Sequence, residues 1–269
     1  MFRQHWNSSP SRGYFRWVSF EVSADAYARF MGRYSEPLAA EFVAQLDLRA
    51  GRRVLDVGCG PGALTAQLVG RLGLPSVVAV DPSESFVSAI RARIPGIEVQ
   101  RAPAEHLPFA DDEFDAAAAQ LVVHFMTDPV AGLTEMARVT RPGGVVAACV
   151  WDHAGGTGPL AVFWRAVNTV DPDARDESGL AGARAGHLAE LFERAGLGDV
   201  ESSLLTVHVS YRGFDEWWEP LTLGVGPAGN YIARLNAEQR STLAEQCAQL
   251  LPTGPFEISA SAWTARGRA

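Results

Sequence analysis

From Gly51 onward, short apolar segments alternate with longer segments in which apolar residues recur at helical spacing. Runs rich in Val, Ile and Ala, bounded by glycine, proline and polar residues, predict strands at about 53–57, 77–81, 97–100, 114–120 and 145–151. The intervening segments predict helices at about 62–72, 83–93 and 129–138. Strands that alternate with helices in this way predict a parallel sheet with helices on both faces.

Both ends of the chain extend this pattern. Before the first strand, apolar residues at helical spacing predict two helices, which Pro37 should separate. After the fifth strand, the pattern predicts one more helix and two more strands, at about 187–195, 199–209 and 256–265. We therefore expect a mostly parallel sheet of seven strands in a single α/β domain over residues 23–269.

Residues 211–254, between the last two predicted strands, are too many for a simple connection. They include several glycines and a polar helix at about 237–250, and they predict a helical cap that closes over a substrate. The alternative is an element that only packs or dimerises. Residues 1–22 lack the continuous apolar run of a signal peptide or membrane span. They predict a poorly ordered extension or, alternatively, an aromatic segment that covers part of the site.

Residues 53–62 are the most informative stretch, because a short apolar strand runs directly into glycines at alternate positions. Gly58, Gly60 and Gly62 permit a sharp turn and a close approach of a ligand to the main chain, and a helix follows. The spacing also fits a dinucleotide-binding loop, but the carboxylate of Asp56 would face a pyrophosphate and repel it. A ligand with a positive charge and no phosphate suits Asp56 better.

The composition restricts the class of protein. A net charge of −8 on 269 residues argues against nucleic acid as the main partner. All 23 basic residues are arginine, which excludes a mechanism that needs a lysine amine. Cys59, Cys149 and Cys247 are too scattered for a disulfide framework, and no cysteine or histidine cluster predicts a metal site. We therefore expect a cytoplasmic protein with no metal and no membrane association.

The motif at residues 53–62 resembles the first motif of the class I S-adenosylmethionine-dependent methyltransferases, hydrophobic-Leu-Asp-x-Gly-x-Gly-x-Gly, at every position. The resemblance continues at 77–81, 104–115 and 138–144, and covers about residues 24–152. It implies a Rossmann-like fold, S-adenosylmethionine as methyl donor and S-adenosylhomocysteine as product. Similarity to the ubiquinone and menaquinone biosynthesis group implies a small-molecule acceptor, and we expect a monomer or a homodimer.

The resemblance assigns the cofactor site to the carboxyl ends of the first strands. The residues expected around the cofactor there are Asp56, Gly58, Cys59, Gly60 and Gly62. Asp81 ends the second strand and would accept hydrogen bonds from both ribose hydroxyls, while Pro82 would present an apolar edge to the adenine. The alternative is that Asp81 only caps the next helix.

The third and fourth strands supply further cofactor candidates. Pro103 stands where related proteins commonly have an aspartate that binds the adenine amino group, so that contact must be lost or moved. The backbone N–H groups of Ala104 and Glu105 remain available to the adenine ring, although Glu105 is equally well explained as a surface residue. Gln120 follows the fourth strand, in the loop that borders the methyl group in this family.

Three side chains are candidates for direct contact with the acceptor or with the methionine part of the cofactor. His124 is the candidate general base, because an imidazole with a pKa near neutrality can take a proton from the acceptor. Arg33 would pair with the methionine carboxylate, and Tyr27 would lie near the sulfonium. The alternative for His124 is a histidine that only packs in the protein interior. The alternative for Tyr27 is a place in the buried stripe of an amphipathic helix.

The acceptor pocket is the least determined part. Trp151 and His153 leave the fifth strand beside Asp152, and Trp217 and Trp218 would form an aromatic wall, with one of the two in the core. The implied reaction is in-line displacement of the sulfonium methyl group. Two other hypotheses stay open: a non-catalytic or divergent S-adenosylmethionine-binding protein, and an NAD-dependent oxidoreductase.

Overall fold

The computed structural model describes residues 24–269, so the predicted extension at residues 1–22 lies outside the described residues. The strands are β1 (Val54–Val57), β2 (Val77–Asp81), β3 (Glu98–Arg101), β4 (Phe114–Gln120), β5 (Thr140–Trp151), β6 (Gly198–Tyr211) and β7 (Phe256–Arg268). They form one seven-stranded sheet in the order β3-β2-β1-β4-β5-β7-β6. The first five are parallel, and β7 is antiparallel to β5 and β6, so the predicted sheet is confirmed.

Helices cover both faces of the sheet. They are α1 (Ala24–Tyr27), α2 (Arg33–Gln45), α3 (Ala63–Leu72), α4 (Glu84–Arg93), α5 (Pro129–Val139), α6 (Ala161–Val170), α7 (His187–Arg194), α8 (Phe214–Trp218), α9 (Gly226–Ala233) and α10 (Ala237–Leu250). Alternate residues of each central strand enter two separate apolar cores, as Val54 and Leu55 of β1 do. Burial on both faces explains why the central strands are almost continuously apolar.

Two strands are longer than the apolar pattern predicts. β5 begins at Thr140 rather than near 145, and β7 continues to Arg268 rather than ending near 265. The additional residues are polar, proline or glycine, but pairing with neighbouring strands reaches the ends of both segments, where Thr140 pairs with Phe114 and Arg268 pairs with Val145 and Gly198. Hydrogen bonding across the sheet thus extends these strands beyond their apolar segments.

The prediction that Pro37 separates two helices is wrong. Pro37 lies inside α2, and the irregular turn is instead a π-helical segment at Ala28–Gly32, between α1 and α2. Leu38 and Phe42 after the proline are buried, and α2 packs on α3 and β6. We attribute the continuity to this packing, which compensates for the one backbone hydrogen bond that a proline removes.

The segment between β6 and β7 is helical, as its sequence predicts. It contains α8, a 3-10 turn at Glu219–Leu223, α9 and α10. A reciprocal pair of hydrogen bonds between Asn236 and Gln239 caps the start of α10, which packs against α6. Within residues 24–269, no helix is both long enough and apolar enough to cross a membrane.

Candidate functional site

A cavity of about 330 Å³ opens at the carboxyl ends of the parallel strands, where open α/β sheets bind their ligands. Its volume lies within the range usual for small-molecule sites. Nine of the predicted site residues line it: Tyr27, Gly58, Gly60, Asp81, Pro82, Ala104, Glu105, Gln120 and His124. The structure thus gathers residues from both sides of β1 around one space.

A larger concavity of about 750 Å³ lies at the opposite, amino ends of the strands. It is lined by several arginines whose charges are largely paired, since Arg52 and Arg141 both contact Asp115 and Arg266 contacts Glu201. Neither the glycine loop nor any of the other predicted site residues reaches it. We therefore place the functional site at the smaller cavity.

Gly58 is the position in the loop where a side chain fits least. Its φ is +70°, in the left-handed region, and a Cβ atom built there would lie 2.4 Å from a methyl group of Val122. The amides of Gly58 and Cys59 donate to the carbonyl of Val80, at 2.8 and 3.0 Å. The loop is therefore held against the end of β2 through its own backbone, and Val122 packs directly on it.

Asp81 fixes the loop while it faces the cavity. Its Oδ2 accepts from the amide of Gly60 at 2.9 Å, and its Oδ1 accepts from the amide of Ser83 at 2.8 Å. Burial raises the pKa of the Asp81 carboxyl, although these two amides oppose the rise. The carboxylate therefore supports the turn into α4, and its remaining lone pairs stay available to a ligand.

Asp56 does not face the cavity, which corrects the expectation that it contacts the ligand directly. It is 1% exposed, and its Oδ2 accepts from the Thr65 hydroxyl of α3 at 2.5 Å. Alternation along β1 turns its side chain toward that helix, beneath the loop. Burial raises the pKa of Asp56 to about 7, against the Thr65 hydrogen bond and together with the nearby Asp81 charge.

Two other loop residues are also absent from the cavity lining. Cys59 is buried in the apolar core, where burial raises the pKa of its thiol well above the usual range. Gly62 has a φ of +92° and precedes α3, with Ile90 packed against it. Both residues support the turn from the side that faces the protein core, and neither lines the cavity.

The charge of the cavity is carried by carboxylates. Among the described residues that line it, Asp81 and Glu105 are acidic and none is arginine. Glu105 accepts from the amides of Thr127 and Asp128, at 2.7 and 3.2 Å, and so holds the loop before α5. An environment of this kind attracts a cationic ligand and repels a pyrophosphate.

Gln120 and Leu121 form a strained exit from β4. Leu121 has a φ of +61°, which is uncommon for a non-glycine residue, and its amide donates to the carbonyl of Cys149 at 2.9 Å. The Gln120 Nε2 donates to the carbonyl of Ser35 at 2.9 Å, while its Oε1 is buried without a partner. This turn carries Val122 over Gly58 and brings His124 to the cavity.

His124 lies in a 3-10 turn at Val123–Phe125 and is 3% exposed. Burial, and secondly the neighbouring His153, lower the pKa of His124 well below its usual value. The expectation of a pKa near neutrality is therefore wrong, and the imidazole is neutral at physiological pH. Its Nδ1 is buried without a hydrogen-bond partner.

Tyr27 lines the cavity, whereas Arg33 does not. Tyr27 packs edge-on against Phe86, and burial, followed by the charge of Asp81, raises the pKa of its hydroxyl. Arg33 forms an ion pair with Glu216 at 2.6 Å and lies over the Tyr211 ring. The expected contact of Arg33 with a cofactor carboxylate is thus replaced here by contacts to β6 and α8.

None of the four predicted acceptor residues lines the cavity. Trp151 is buried edge-on against Tyr34, and Trp217 is in the core, as expected for one of the paired tryptophans. Trp218 stacks on Phe214. His153 lies behind His124, with ring centroids 6.0 Å apart.

Several cavity residues escaped the sequence reasoning. These are Phe86, Leu121, Val122, Phe125, Met126, Thr127, Leu180 and Pro227, while Pro103, which the resemblance places beside the adenine, also lines the cavity. Phe86 follows from the helical period of α4, and Val122 and Phe125 flank His124, so neighbouring motifs could have identified them. Leu180 and Pro227 lie far along the chain, outside any motif, and only the tertiary fold brings them to the cavity.

Comparison with known proteins agrees with the geometry. A family model described as a methyltransferase domain matches residues 55–148. An uncharacterized methyltransferase of Mycobacterium tuberculosis is 41% identical over 247 residues, covering 88% of this chain and 87% of that protein. A demethylmenaquinone methyltransferase of Paenarthrobacter aurescens is 32% identical over 127 residues, or 47% of each chain.

Solved structures share the fold at lower identity. A SAM-dependent methyltransferase from Thermotoga maritima matches with a TM-score of 0.53 at 17% identity, covering 91% of this chain and 99% of that one. Phosphoethanolamine N-methyltransferase 2 of Haemonchus contortus, in complex with S-adenosyl-L-methionine, matches with a TM-score of 0.54 at 15% identity, covering 93% and 60%. The 41% identity to the Mycobacterium protein over most of both chains shows that this chain belongs to the class I S-adenosylmethionine-dependent methyltransferases.

Proposed function

We propose that the cavity binds S-adenosylmethionine and transfers its methyl group to a small-molecule acceptor by in-line displacement. The observation that carries the proposal is the charge of the lining, which among residues 24–269 includes Asp81 and Glu105 and no arginine. This environment suits a sulfonium cation and a phosphate-free nucleoside. It disfavours the NAD-dependent alternative, because a pyrophosphate would meet two carboxylates and no arginine among the described lining residues.

In this proposal the loop and strand ends hold the nucleoside. Asp81 accepts from the ribose hydroxyls with the lone pairs that Gly60 and Ser83 leave free. Pro82 and Ala104 contact the adenine, and Gly58 lets the main chain approach closely. Asp56 and Cys59 act from behind, by supporting the loop.

The reacting end of the cavity is assigned to Tyr27, Gln120 and His124. The Tyr27 ring provides an aromatic face for a cation, and the unpartnered Oε1 of Gln120 accepts from a ligand donor. The bound donor supplies an electrophilic methyl group, and the chain contributes position and water exclusion. Holding both reactants in a near-attack geometry is worth up to ~7–11 kcal/mol.

The acceptor is proposed to be small and partly apolar. Phe125, Met126, Leu180 and Pro227 give the cavity an apolar side, and the net charge of −8 disfavours a nucleic acid substrate. Pro227 comes from the helical segment between β6 and β7, which supports a role for that segment as a cap. Two similar proteins are named for small acceptors, demethylmenaquinone and phosphoethanolamine.

The proposal is tested by calorimetric titration with S-adenosylhomocysteine, with NADH as the parallel ligand. We expect saturable binding of the first and none of the second. Asp81→Ala should weaken binding by about 1.5–3 kcal/mol, because it removes hydrogen bonds made by a charged group. Asp111→Ala is the matched control, since Asp111 is an exposed partner of Arg138 outside the cavity lining.

If Asp81→Ala binds S-adenosylhomocysteine as tightly as the wild type, Asp81 does not hold the ribose. If the protein binds NADH alone, the assignment of S-adenosylmethionine as the cofactor is wrong. Formation of S-adenosylhomocysteine is then measured with a panel of phenols, amines and thiols. Acceptor-dependent product separates a methyltransferase from a non-catalytic binding protein. Tight binding with no turnover on any acceptor class would favour the latter.

A further inference from the structure

Two histidines that follow β4 and β5 each have a buried ring nitrogen with no hydrogen-bond partner among residues 24–269. These atoms are Nδ1 of His124 and Nε2 of His153. The ring centroids are 6.0 Å apart, with the ring planes inclined by 65°. Buried polar atoms are nearly always paired, so two unpaired nitrogens in neighbouring rings require an explanation.

The second nitrogen of each ring is not a buried, unpaired atom. Nε2 of His124 belongs to a side chain that lines the cavity, and Nδ1 of His153 belongs to a side chain that is only half-buried. His124 is therefore the ring on the cavity side of the pair, and the half-buried His153 is the ring closer to the protein surface. This order is the one that a proton would need in order to leave a closed cavity.

Within residues 24–269, no carboxylate takes the orienting role that usually accompanies a basic histidine. Asp152 is the nearest acidic residue in the chain to His153, but donors occupy it: the Gly155 amide, the Thr157 hydroxyl and the Trp263 indole bond to it at 3.0, 2.6 and 2.8 Å. Asp152 thus fixes the loop that carries His153. Among the described residues, the rings of Phe125 and His153 lie beside His124, at centroid distances of 3.9 and 6.0 Å, and of these two only the imidazole can accept a proton.

We propose that His153 accepts the Nδ1 proton of His124 through one bridging water, so that the pair removes a proton from a hydroxyl acceptor during methyl transfer. This inference rests on the function proposed above. The acceptor oxygen forms a bond to the methyl carbon as the carbon–sulfur bond breaks, and its proton passes to Nε2 of His124. The Nδ1 proton of His124 then passes to Nε2 of His153, which releases its Nδ1 proton to solvent.

The pair also restricts the acceptor. Burial lowers the pKa of His124, which makes its imidazole a weak base. A weak base removes a proton efficiently only from an acidic hydroxyl, such as a phenol or an enol, and a neutral amine needs no base before it attacks. The apolar side of the cavity, formed by Phe125, Met126 and Leu180, also suits an aromatic or enolic substrate, for which His153 is the positioning and relay residue.

The test uses the full chain labelled with ¹⁵N at histidine, with S-adenosylhomocysteine added, and long-range proton–nitrogen correlation spectra. His124→Gln identifies the His124 signals. We expect His124 to carry its proton on Nδ1 and to present an unprotonated Nε2. In His153→Phe, the Nδ1 proton loses its acceptor and should exchange with water at least about tenfold faster.

Thr157→Ala is the matched control, because it loosens the same loop and leaves the His153 ring in place. It should preserve the His124 signals. His124 protonated on Nε2, or an Nδ1 proton that is unaffected in His153→Phe, would overturn the relay. Thermal unfolding of each variant distinguishes a lost hydrogen bond from a misfolded protein, and His153→Gln offers a polar replacement where the phenylalanine variant does not fold.

Turnover on the phenol panel gives the second readout. His153→Phe should lower kcat about tenfold or more with an unchanged KM for S-adenosylmethionine, and His153→Gln, which still offers an acceptor, should recover part of the rate. Methylation of amines but of no phenol would overturn the assigned substrate class. Absence of S-adenosylhomocysteine binding would instead reject the proposed function, so the two failures are distinguishable.

Discussion

The cavity lies between two walls whose contacts differ in range along the chain. The loop wall, residues 54–65 with 77–83, is held by neighbours in sequence: the Gly60 amide donates to Asp81, 21 residues later, and the Thr65 hydroxyl donates to Asp56, nine residues earlier. Both contacts therefore lie within the single β1–α3–β2 unit, residues 54–81. This wall folds from local information.

The helical wall, residues 24–36 with 211–233, depends on distant partners. Arg33 pairs with Glu216 across 183 positions, and the Tyr211 hydroxyl donates to Tyr34 across 177 positions. The ion pair is partly exposed, whereas the Asp56–Thr65 contact is buried. The buried Asp56–Thr65 contact should therefore contribute more to the stability of the site than the partly exposed Arg33–Glu216 pair.

The buried carboxyl of Asp56 should have the largest effect on the free energy of unfolding. Its pKa is about 7 in the folded chain and lies near the usual value of 3.8 when unfolded, so the native state binds a proton that the unfolded state releases. The free energy of unfolding should fall as pH rises from about 4 to about 7, by up to about 4 kcal/mol, and level off above. Urea unfolding of wild type and Asp56→Asn across this range measures the difference.

The asparagine variant cannot titrate at this position, so its stability should change less over the same interval. Asp81 also has a raised pKa and is present in both proteins, so the comparison isolates Asp56. Equal pH profiles for the two proteins would show that Asp56 is not the group responsible. The loop wall would then lose its strongest buried contact, and the contrast between the walls would weaken.

A substitution at Gly58 should have the second-largest effect on the free energy of unfolding. Gly58→Ala places a methyl group against Val122, while Gly60→Ala, also in the left-handed region, meets no atom within 4 Å. Both variants carry the same kind of backbone strain, so the additional loss of stability in Gly58→Ala should be about 1–3 kcal/mol from the overlap. Urea unfolding of both variants measures it.

Adding Val122→Ala to Gly58→Ala should recover most of that difference, because the two nearest clashing atoms are the Val122 methyl carbons. Equal stability of the two single variants would mean that Val122 moves aside without cost. The close packing between the glycine loop and the exit of β4 would then not stabilise the loop wall.

The sequence predicted the loop wall and the sheet well, because both follow from local patterns. The seven strands, the turn at Gly58 and the position of Asp81 at the end of β2 are as expected. The orientation of Asp56 was wrong because it depends on which face of β1 meets Thr65. Spacing along the chain does not reveal that choice when both faces of a strand are buried.

The helical wall was predicted only as a set of helices. Pro37 was expected to end a helix, but packing against α3 and β6 keeps α2 continuous. Leu180 and Pro227 reach the cavity from segments without a motif. The Arg33 guanidinium can pair with any carboxylate, and the sequence around Arg33 does not indicate that its partner is Glu216.

The Arg33–Glu216 pair gives the smallest expected effect and the sharpest test of the contrast. If Arg33 mainly connects α2 to α8, then Arg33→Gln and Glu216→Gln should each lower the melting temperature by only about 2 °C, and the double variant by little more. Affinity for S-adenosylhomocysteine should change less than twofold in all three. Calorimetric titration and thermal unfolding measure both quantities, and Arg29→Gln, which breaks a neighbouring exposed pair with Glu219, serves as the control. A tenfold loss of affinity in Arg33→Gln alone would return Arg33 to the cofactor carboxylate. In that case the guanidinium exchanges Glu216 for the ligand on binding, and the helical wall contributes a direct contact to the site.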